Sequence, residues 1–124
     1  MWALGDPGSI AQILRILLDN ARRASPTGGE VRVTLAHDTV AAISVSDDGP
    51  GVAPDERQAI FERFHRGPDT QGQAGFGLGL AIGRELAERM GGELVLEDRL
   101  GPGAVFTLRL PGARAPEHEP IVLA

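Results

Sequence analysis

The hydrophobic periodicity of the chain alternates between two values, and this alternation constrains the fold more than any other feature. Apolar residues between positions 10 and 21, and again between 78 and 90, recur every three or four residues, as on the buried face of a helix. Between 31 and 45 and between 93 and 110 they alternate with polar residues, as in strands that bury one face. This order predicts an α/β two-layer sandwich, with one sheet and its helices packed on one face.

The ends of these elements are marked by residues that begin or end helices. Asp6 and Pro7 are an N-cap residue followed by proline at the first helical position. We expect this helix to run to about Ala24, because Pro26 and the glycine pair 28–29 do not continue it. The further predicted elements are a hairpin over 31–35 and 41–45, a short helix from Pro54 that holds Ile60, Phe61 and Phe64, a mobile loop over 66–75, a second long helix over 78–90, and closing strands over 93–97 and 105–110.

The composition excludes several classes of function. The net charge of −5 argues against a nucleic-acid binder, which should show clustered positive charge. All 12 basic residues are arginine, so the chain lacks the lysine that a P-loop nucleotide site requires. The absence of cysteine excludes disulfides and thiolate zinc sites. No apolar run has membrane-spanning length, so we expect one soluble domain with a single core.

The first candidate site residue is Asn20, which lies on the flank of the buried helical stripe beside Ile16 and Arg23, whereas Asp19 faces solvent. A surface asparagine near a helix end is the simple interpretation. The alternative is a triphosphate clamp, because an amide oxygen can ligate Mg²⁺ and the neighbouring guanidinium of Arg23 can hold a phosphate.

The second candidate is Asp47, which continues the inward alternation of Ala41, Ile43 and Val45. Its carboxylate should point to the core side of the sheet, where burial is costly unless donors meet it. The simple interpretation is a turn aspartate that bonds its own backbone before Gly49, although Asp48 also suits that role. A ligand amino group, such as the exocyclic amine of adenine, is the alternative donor.

The third candidate is the glycine-rich segment 75–80, GFGLGL, which runs directly into a helix. The helix N-terminus presents free N–H groups that can bind an anion. A flexible hinge and a dinucleotide-binding fingerprint are the alternatives. The fingerprint should follow a strand in a βαβ unit, whereas a long loop precedes this segment.

Taken together, these segments resemble the ATP-binding catalytic domain of two-component sensor histidine kinases. The resemblance covers about Gly5 to Pro111, nearly the whole chain, and the order and spacing of the segments agree with the family. The similar segments are 17–21 (LLDNA) for the N box, 47–51 (DDGPG) for the G1 box, 60–67 (IFERFHRG) for the F box, 75–80 for the G2 box, and the pair 91–92 with 101–106 (GPGAVF) and 110–111 for the closing strands.

The resemblance implies the Bergerat fold, an α/β sandwich with a mixed, mostly antiparallel sheet and helices on one face. It implies a catalytic domain over 1–111, with a lid over 66–75 that closes on ATP. Residues 112–124 are rich in Pro, Arg, Glu and His, a composition that predicts a flexible tail. Asn20 would ligate Mg²⁺ and act with Arg23 as a catalytic residue, and Asp47 would accept the adenine amine. The implied ATP-binding residues are Asn20, Arg23, Asp47, Gly49, Gly51, Arg66, Gly75, Phe76, Gly77, Leu78, Gly79 and Leu80.

Three positions depart from the family pattern. Ile16 stands where these kinases often carry asparagine and where related ATPases carry a general-base glutamate. Ala24 and Ala104 replace an aromatic residue and a threonine that contact the adenine region in many members. We therefore expect little ATP hydrolysis, and weak ATP binding with a dissociation constant of about 100 μM or above, equivalent to roughly −5.5 kcal/mol.

The resemblance also implies partners. None of His37, His65 and His118 lies in a helical H box, and prolines flank His118. We therefore expect the dimerisation and phosphoacceptor helices of a parent kinase to supply the acceptor, with a response regulator downstream. We expect a monomeric cytoplasmic domain that neither enters a membrane nor binds nucleic acid, within a parent that is a candidate for membrane anchoring.

Two rival functions remain open at this point. A serine kinase of the anti-sigma-factor type uses the same fold, but the F box with Phe61, Phe64 and Arg66 favours the histidine kinase. A degenerate nucleotide-sensing or docking module would bind partners without chemistry. The substitutions at Ile16, Ala24 and Ala104 keep this second alternative open.

Overall fold

The computed structural model describes residues 5–37, 40–62, 78–97 and 103–112. They form two helices and one sheet, which confirms the predicted fold class. The helices are α1 (Pro7–Ala24) and α2 (Gly79–Arg89), and the strands are β1 (Arg32–His37), β2 (Val40–Ser46), β3 (Glu93–Leu96) and β4 (Val105–Pro111). Apart from Gly112, the predicted tail lies outside the described residues, as does the predicted lid.

The four strands form one sheet in the order β1-β2-β4-β3. The predicted hairpin is present as β1 and β2, and all three pairings in the described part of the chain are antiparallel. Val45 of β2 lies between Val33 of β1 and Phe106 of β4. Residues paired in this way lie on the same face of the sheet. The register therefore aligns one apolar row across three strands.

The core lies between this face of the sheet and the two helices. Ile13 and Leu17 of α1 and Leu108 of β4 are at most 1% exposed. Phe61 lies edge-on to Phe106, with 6.1 Å between the ring centroids. The remaining buried apolar members of the core are Ala21, Val45, Ala87, Leu94, Ala104, Phe106 and Leu110.

Helix α1 begins and ends as its sequence predicts. The Asp6 side chain caps it by accepting hydrogen bonds from the Ser9 amide and the Ser9 hydroxyl, each at 2.8 Å. The Ser9 hydroxyl and amide lower the pKa of Asp6, because both bonds favour the charged carboxylate. The helix ends before Ser25, which is extended as expected for a residue that precedes proline.

Two expectations about the helices are wrong. The apolar stripe predicted between positions 10 and 21 includes Leu18, but Leu18 is 41% exposed, because the stripe that faces the sheet is centred on Ile13, Leu17 and Ala21. The short helix predicted from Pro54 is instead two 3₁₀ turns, Pro54–Glu56 and Ala59–Phe61. Helices this short have little stability of their own, so tertiary contacts decide their geometry.

The contacts of this segment are made by its side chains. Arg57 donates a hydrogen bond to the Leu96 carbonyl oxygen at 2.9 Å. The Phe61 ring packs on Phe106, and the Arg84 guanidinium lies 5.2 Å from the Phe61 ring centroid.

Among the residues that the structure describes, neither helix combines the length and apolar character that a membrane span would require.

Candidate functional site

One flank of α1 is the framework of the candidate site. Ile16, Asn20 and Ala24 follow one another at intervals of four residues, so they lie one above another on this flank. All three are half-buried. Asp19 is exposed and lies 3.5 Å from the Arg22 guanidinium. These positions confirm the prediction that Asn20 lies at the rim of the buried stripe and Asp19 in solvent.

Below Asn20, the flank contacts the loop that follows β2. A Cβ atom added to Gly49 would lie only 2.4 Å from the carbonyl oxygen of Ala24. The two backbones therefore approach so closely that position 49 has no room for a side chain. In a site for adenine, glycine at this position would let the backbone approach a flat ring closely. The structure gives a different reason for glycine here, since it is the end of α1 that approaches.

Asp47 lies at the start of this loop and is only 2% exposed, so the prediction of an inward carboxylate is confirmed. Its Oδ1 accepts hydrogen bonds from the backbone amides of Gly49 at 2.8 Å and Ala104 at 3.3 Å. The Asp47 amide in turn donates to the Ala104 carbonyl oxygen at 3.0 Å. These bonds offset part of the cost of burying the carboxylate and fix its orientation.

The two aspartates of the loop divide their roles differently from the expectation. The turn bond to Gly49 is made by Asp47 itself, whereas the carboxylate of Asp48 accepts from the Glu30 amide at 2.9 Å. Asp48 therefore connects the loop to the segment before β1. Sequence reasoning missed Ala104 as a donor to Asp47, because the two residues are 57 positions apart and an alanine carries no signal of such a bond.

Gly51 holds the other side of the loop. Its φ is +81°, in the left-handed region that glycine adopts without strain. A Cβ atom there would also lie 3.0 Å from the carbonyl oxygen of Gly103, in the turn before β4. The 47–51 loop is thus held between the end of α1 and the start of β4.

Above Asn20, the same flank of α1 contacts the first turn of α2. A Cβ atom added to Gly79 would lie 3.3 Å from Cγ2 of Ile16. Leu78 is the N-cap residue of α2, but its side chain makes no cap hydrogen bond. The first bond within the helix runs from the Ile82 amide to the Leu78 carbonyl oxygen at 2.9 Å. The amides of the first turn point away from the helix, which suits an anion.

The predicted site residues therefore divide into three groups. Asp47, Gly49 and Gly51 lie in one loop, and Gly49 contacts Ala24, one turn beyond Asn20 on α1. Leu78, Gly79 and Leu80 lie at the start of α2, where Gly79 contacts Ile16, one turn before Asn20. Arg23 is exposed on α1, three residues beyond Asn20. Arg66, Gly75, Phe76 and Gly77 lie outside the described residues.

Two depressions in the described surface share only Gly51, among their described lining residues, with the predicted site. One of about 330 Å³ is lined by α1 residues that include Arg15, Ile16 and Asp19, and one of about 110 Å³ includes Gly51 and Ala104. Neither includes Asn20 or Asp47 among its described lining residues.

The sequence matches a known protein family and is similar to known proteins. Residues 5–114 match the model of the family described as histidine kinase-, DNA gyrase B- and HSP90-like ATPase. The chain is 41% identical over 122 residues to the signal transduction histidine-protein kinase/phosphatase MprB of Mycobacterium avium (strain 104), covering 93% of this chain and 23% of that protein. It is 38% identical over 114 residues to the sensor histidine kinase RppB of Synechocystis, covering 90% of this chain and 25% of that protein.

Solved structures agree as well. The mycobacterial sensor histidine kinase MprB matches with a TM-score of 0.81 and 37% identity, over 89% of this chain and 76% of that one. The catalytic domain of histidine kinase ThkA matches with a TM-score of 0.75 and 33% identity, over 87% and 69%. Full-length ShkA in complex with AMPPNP matches with a TM-score of 0.75 and 37% identity, over 92% of this chain and 25% of that one.

The fold and the arrangement around α1 thus define an ATPase-type domain of the Bergerat class. The chain belongs to the histidine kinase-, DNA gyrase B- and HSP90-like ATPase family, and within it to the histidine kinases of two-component signal transduction. The chain is similar to the catalytic domain of histidine kinase ThkA, and it spans about a quarter of the length of the sensor kinases MprB and RppB.

Proposed function

We propose that this domain binds Mg-ATP along the flank of α1 and donates the γ-phosphate to a histidine on a separate phosphoacceptor domain. One observation carries the proposal. Asn20 lies between two close contacts, Ile16 on Gly79 above it and Ala24 on Gly49 below it. A single helix therefore contacts the loop of the buried Asp47 carboxylate at one end and the uncapped N-terminus of α2 at the other, with the Asn20 amide between them.

The adenine end of the site is proposed at Asp47. Its carboxylate is buried and oriented by the amides of Gly49 and Ala104, so it is preorganised to accept a hydrogen bond from an exocyclic amine. A site built around a buried acceptor discriminates strongly between a ligand that presents a donor to it and a ligand that presents another acceptor. This supports recognition of adenine rather than guanine, which presents a carbonyl oxygen where adenine has its amine.

The phosphate end is proposed at the first turn of α2, where the amides of residues 79–81 have no partner within the helix. Arg23 would add a positive charge from α1, and Arg66 and the glycines at 75 and 77 are proposed to complete the phosphate contacts. Mg²⁺ would neutralise charge between the phosphates. No group of three or more acidic, histidine or cysteine side chains that could together hold a metal ion occurs in the described part of the chain. A single amide ligand from Asn20, completed by phosphate oxygens and water, fits this donor set.

The reaction proposed is an in-line phosphoryl transfer. A nitrogen of the acceptor imidazole forms a bond to the γ-phosphorus as the bond to the β–γ bridging oxygen breaks, and ADP leaves. The residues of this chain contribute by orientation and charge neutralisation. Ile16 carries no group that could activate a water molecule, so transfer to histidine is favoured over hydrolysis.

The proposed partners follow from the family. The relatives are longer sensor kinases, which supports a parent protein that supplies the dimerisation and phosphoacceptor helices. We propose a response regulator as the downstream partner of that parent, and a cytoplasmic position for this domain within it.

Nucleotide binding is tested with two site variants and two matched controls. We expect Asp47→Asn and Asn20→Asp each to abolish ATP binding in calorimetry while leaving the fold intact. Asp48→Asn, the control for Asp47→Asn, makes the same change on an exposed neighbour. Gln12→Glu, the control for Asn20→Asp, also converts an amide to a carboxylate, at an exposed position of α1. Both controls should bind ATP as the wild type does. Unchanged affinity in Asp47→Asn or Asn20→Asp would refute that residue's assignment.

Phosphotransfer is tested by incubating the domain with γ-labelled ATP, Mg²⁺ and a dimerisation-helix fragment from a related sensor kinase. An acid-labile, base-stable label on the fragment's histidine is expected. An acid-stable label on serine would favour the anti-sigma-factor type. Binding of Mg-ATP with no transfer to any such fragment would favour a docking module.

A further inference from the structure

We propose that Ile16 is a positioning residue that sets the separation between Asn20 and the phosphate-binding end of α2. This inference rests on the proposed function. The side chain occupies the seam between the two helices, one turn from Asn20, and it is only half-buried, whereas Ile13, one turn earlier, is 0% exposed. Ile16 thus lies at the rim of the site and not in the central core.

The contact of Ile16 with α2 extends over two helical turns. Cγ2 of Ile16 lies 3.3 Å from the position of a Cβ atom on Gly79, and Cδ1 lies 3.8 Å from that of a Cβ atom on Gly83. The two glycines are four residues apart, so both lie on the same face of α2. Ile16 is the nearest side chain at Gly79, whereas at Gly83 it shares the space with Leu94, whose Cδ2 lies 3.1 Å from the position of a Cβ atom there.

The two ends of the isoleucine side chain differ in what they touch. Cγ2 is the branch at Cβ, and a β-branched side chain has one strongly preferred χ1 rotamer in a helix. The contact with Gly79 therefore depends on a rigid part of the side chain. Cδ1 is the more mobile end, and it contacts Gly83, which lies one turn away from the proposed phosphate site.

These contacts predict an effect on phosphates that is separate from the effect on adenine. Asp47 is held by Gly49 and Ala104, and neither contact involves Ile16. Shortening Ile16 should let the first turn of α2 shift relative to Asn20 while the adenine end stays in place. Small displacements of binding groups weaken contacts that depend on exact geometry.

The experiment compares two truncations at position 16 with the same truncations at position 13. Ile16→Val keeps Cγ2 and loses Cδ1, whereas Ile16→Ala loses both. We expect Ile16→Val to bind ATP within about twofold of the wild type and Ile16→Ala to bind it about tenfold more weakly, with adenosine affinity unchanged in both. Ile13→Val and Ile13→Ala should lower the unfolding temperature but leave both affinities within about twofold, when measured where each variant is folded.

Several results would overturn the positioning role. Equal losses of ATP and adenosine affinity in Ile16→Ala would show general loosening of the domain. Unchanged ATP affinity in Ile16→Ala, or an equal loss of ATP affinity in Ile13→Ala, would show that position 16 has no special relation to the phosphates. Tighter ATP binding by Ile16→Asn would show that a polar group at position 16 contributes more to ATP affinity than the packing contact of isoleucine does.

A ligand-free measurement separates this inference from the proposed function. In NMR spectra without nucleotide, Ile16→Ala should shift the amide resonances of Gly79 and Leu80, whereas Ile16→Val should leave them close to their wild-type positions. A wild-type protein that binds neither ATP nor adenosine would refute the proposed function. Unshifted Gly79 and Leu80 resonances in Ile16→Ala would refute the positioning role whether or not nucleotide binds.

Discussion

Replacing Gly49 with alanine tests the close contact that joins α1 to the 47–51 loop. The added Cβ atom would lie 2.4 Å from the Ala24 carbonyl oxygen, 2.9 Å from its carbonyl carbon and 3.0 Å from its Cβ atom. Carbon–oxygen contacts normally lie at about 3.3–3.6 Å. The loop or the end of α1 must therefore move by about 1 Å, and no flexible side chain can absorb the shift, because the nearest neighbour is backbone.

Forced rearrangements of this kind cost about 1–3 kcal/mol. A domain of this size has roughly 5–15 kcal/mol of stability, so Gly49→Ala should still fold. Its free energy of unfolding should be about 1–3 kcal/mol lower than that of the wild type. For a domain of this length, each kcal/mol corresponds to a shift of about 4 °C in the unfolding temperature. The expected decrease is therefore about 4–12 °C.

Urea unfolding followed by circular dichroism measures the change. Gly8→Ala is the matched control, because it adds the same atom within α1, where the new Cβ would lie an ordinary 3.4 Å from the Asp6 carboxylate. That variant should be as stable as the wild type or more stable by up to about 1 kcal/mol, since alanine favours helix. If the midpoint of urea unfolding were the same for Gly49→Ala and the wild type, the close approach of the loop to Ala24 would be refuted.

Three further predictions concern stability. Asp6→Ala should lower the unfolding temperature at neutral pH. The bonds from Ser9 lower the folded-state pKa of Asp6 below 3.8, so this stabilisation is present above about pH 4 and lost as the pH falls through the folded pKa. A difference from the wild type that did not narrow in thermal melts below pH 4 would contradict the cap. Leu108→Ala should lower the free energy of unfolding in urea by about 2–5 kcal/mol, because Leu108 is fully buried on a central strand; a loss under about 1 kcal/mol would contradict that burial. Thr107→Val should lower the free energy of unfolding by about 1 kcal/mol, since it removes the 2.8 Å hydrogen bond to the Ser44 hydroxyl. A double-mutant cycle with Ser44→Ala should show a coupling energy between the two residues, and no coupling would refute the bond.

The sequence alone determined the elements whose signals are local. The bounds of α1 follow from the cap at Asp6 and from Pro26, and the structure confirms them. The hairpin and the closing strands follow from alternation, because burial of one face imposes a period of two. The inward direction of Asp47 follows from the same period, since the residue simply continues the strand.

Local signals do not predict features that depend on contacts between segments far apart in the sequence. Leu18 fits a helical apolar stripe, yet the sheet covers only the sector around Leu17, so Leu18 remains exposed. The segment from Pro54 has helical residues, but its contacts with β3 and β4 hold it as two 3₁₀ turns. Stability in such short segments comes from tertiary packing, which the local sequence does not contain.

The strand order and the construction of the site were likewise decided only by the tertiary structure. Nothing in the sequence of β2 indicates that β4, about 60 residues later, pairs beside it, or that Ala104, just before β4, donates its amide to Asp47. The roles of Gly49 against Ala24 and of Ile16 against Gly79 also arise from contacts between separate elements. A glycine or an isoleucine looks the same in sequence whatever it faces, and only the folded chain determines which backbone comes within 4 Å of it.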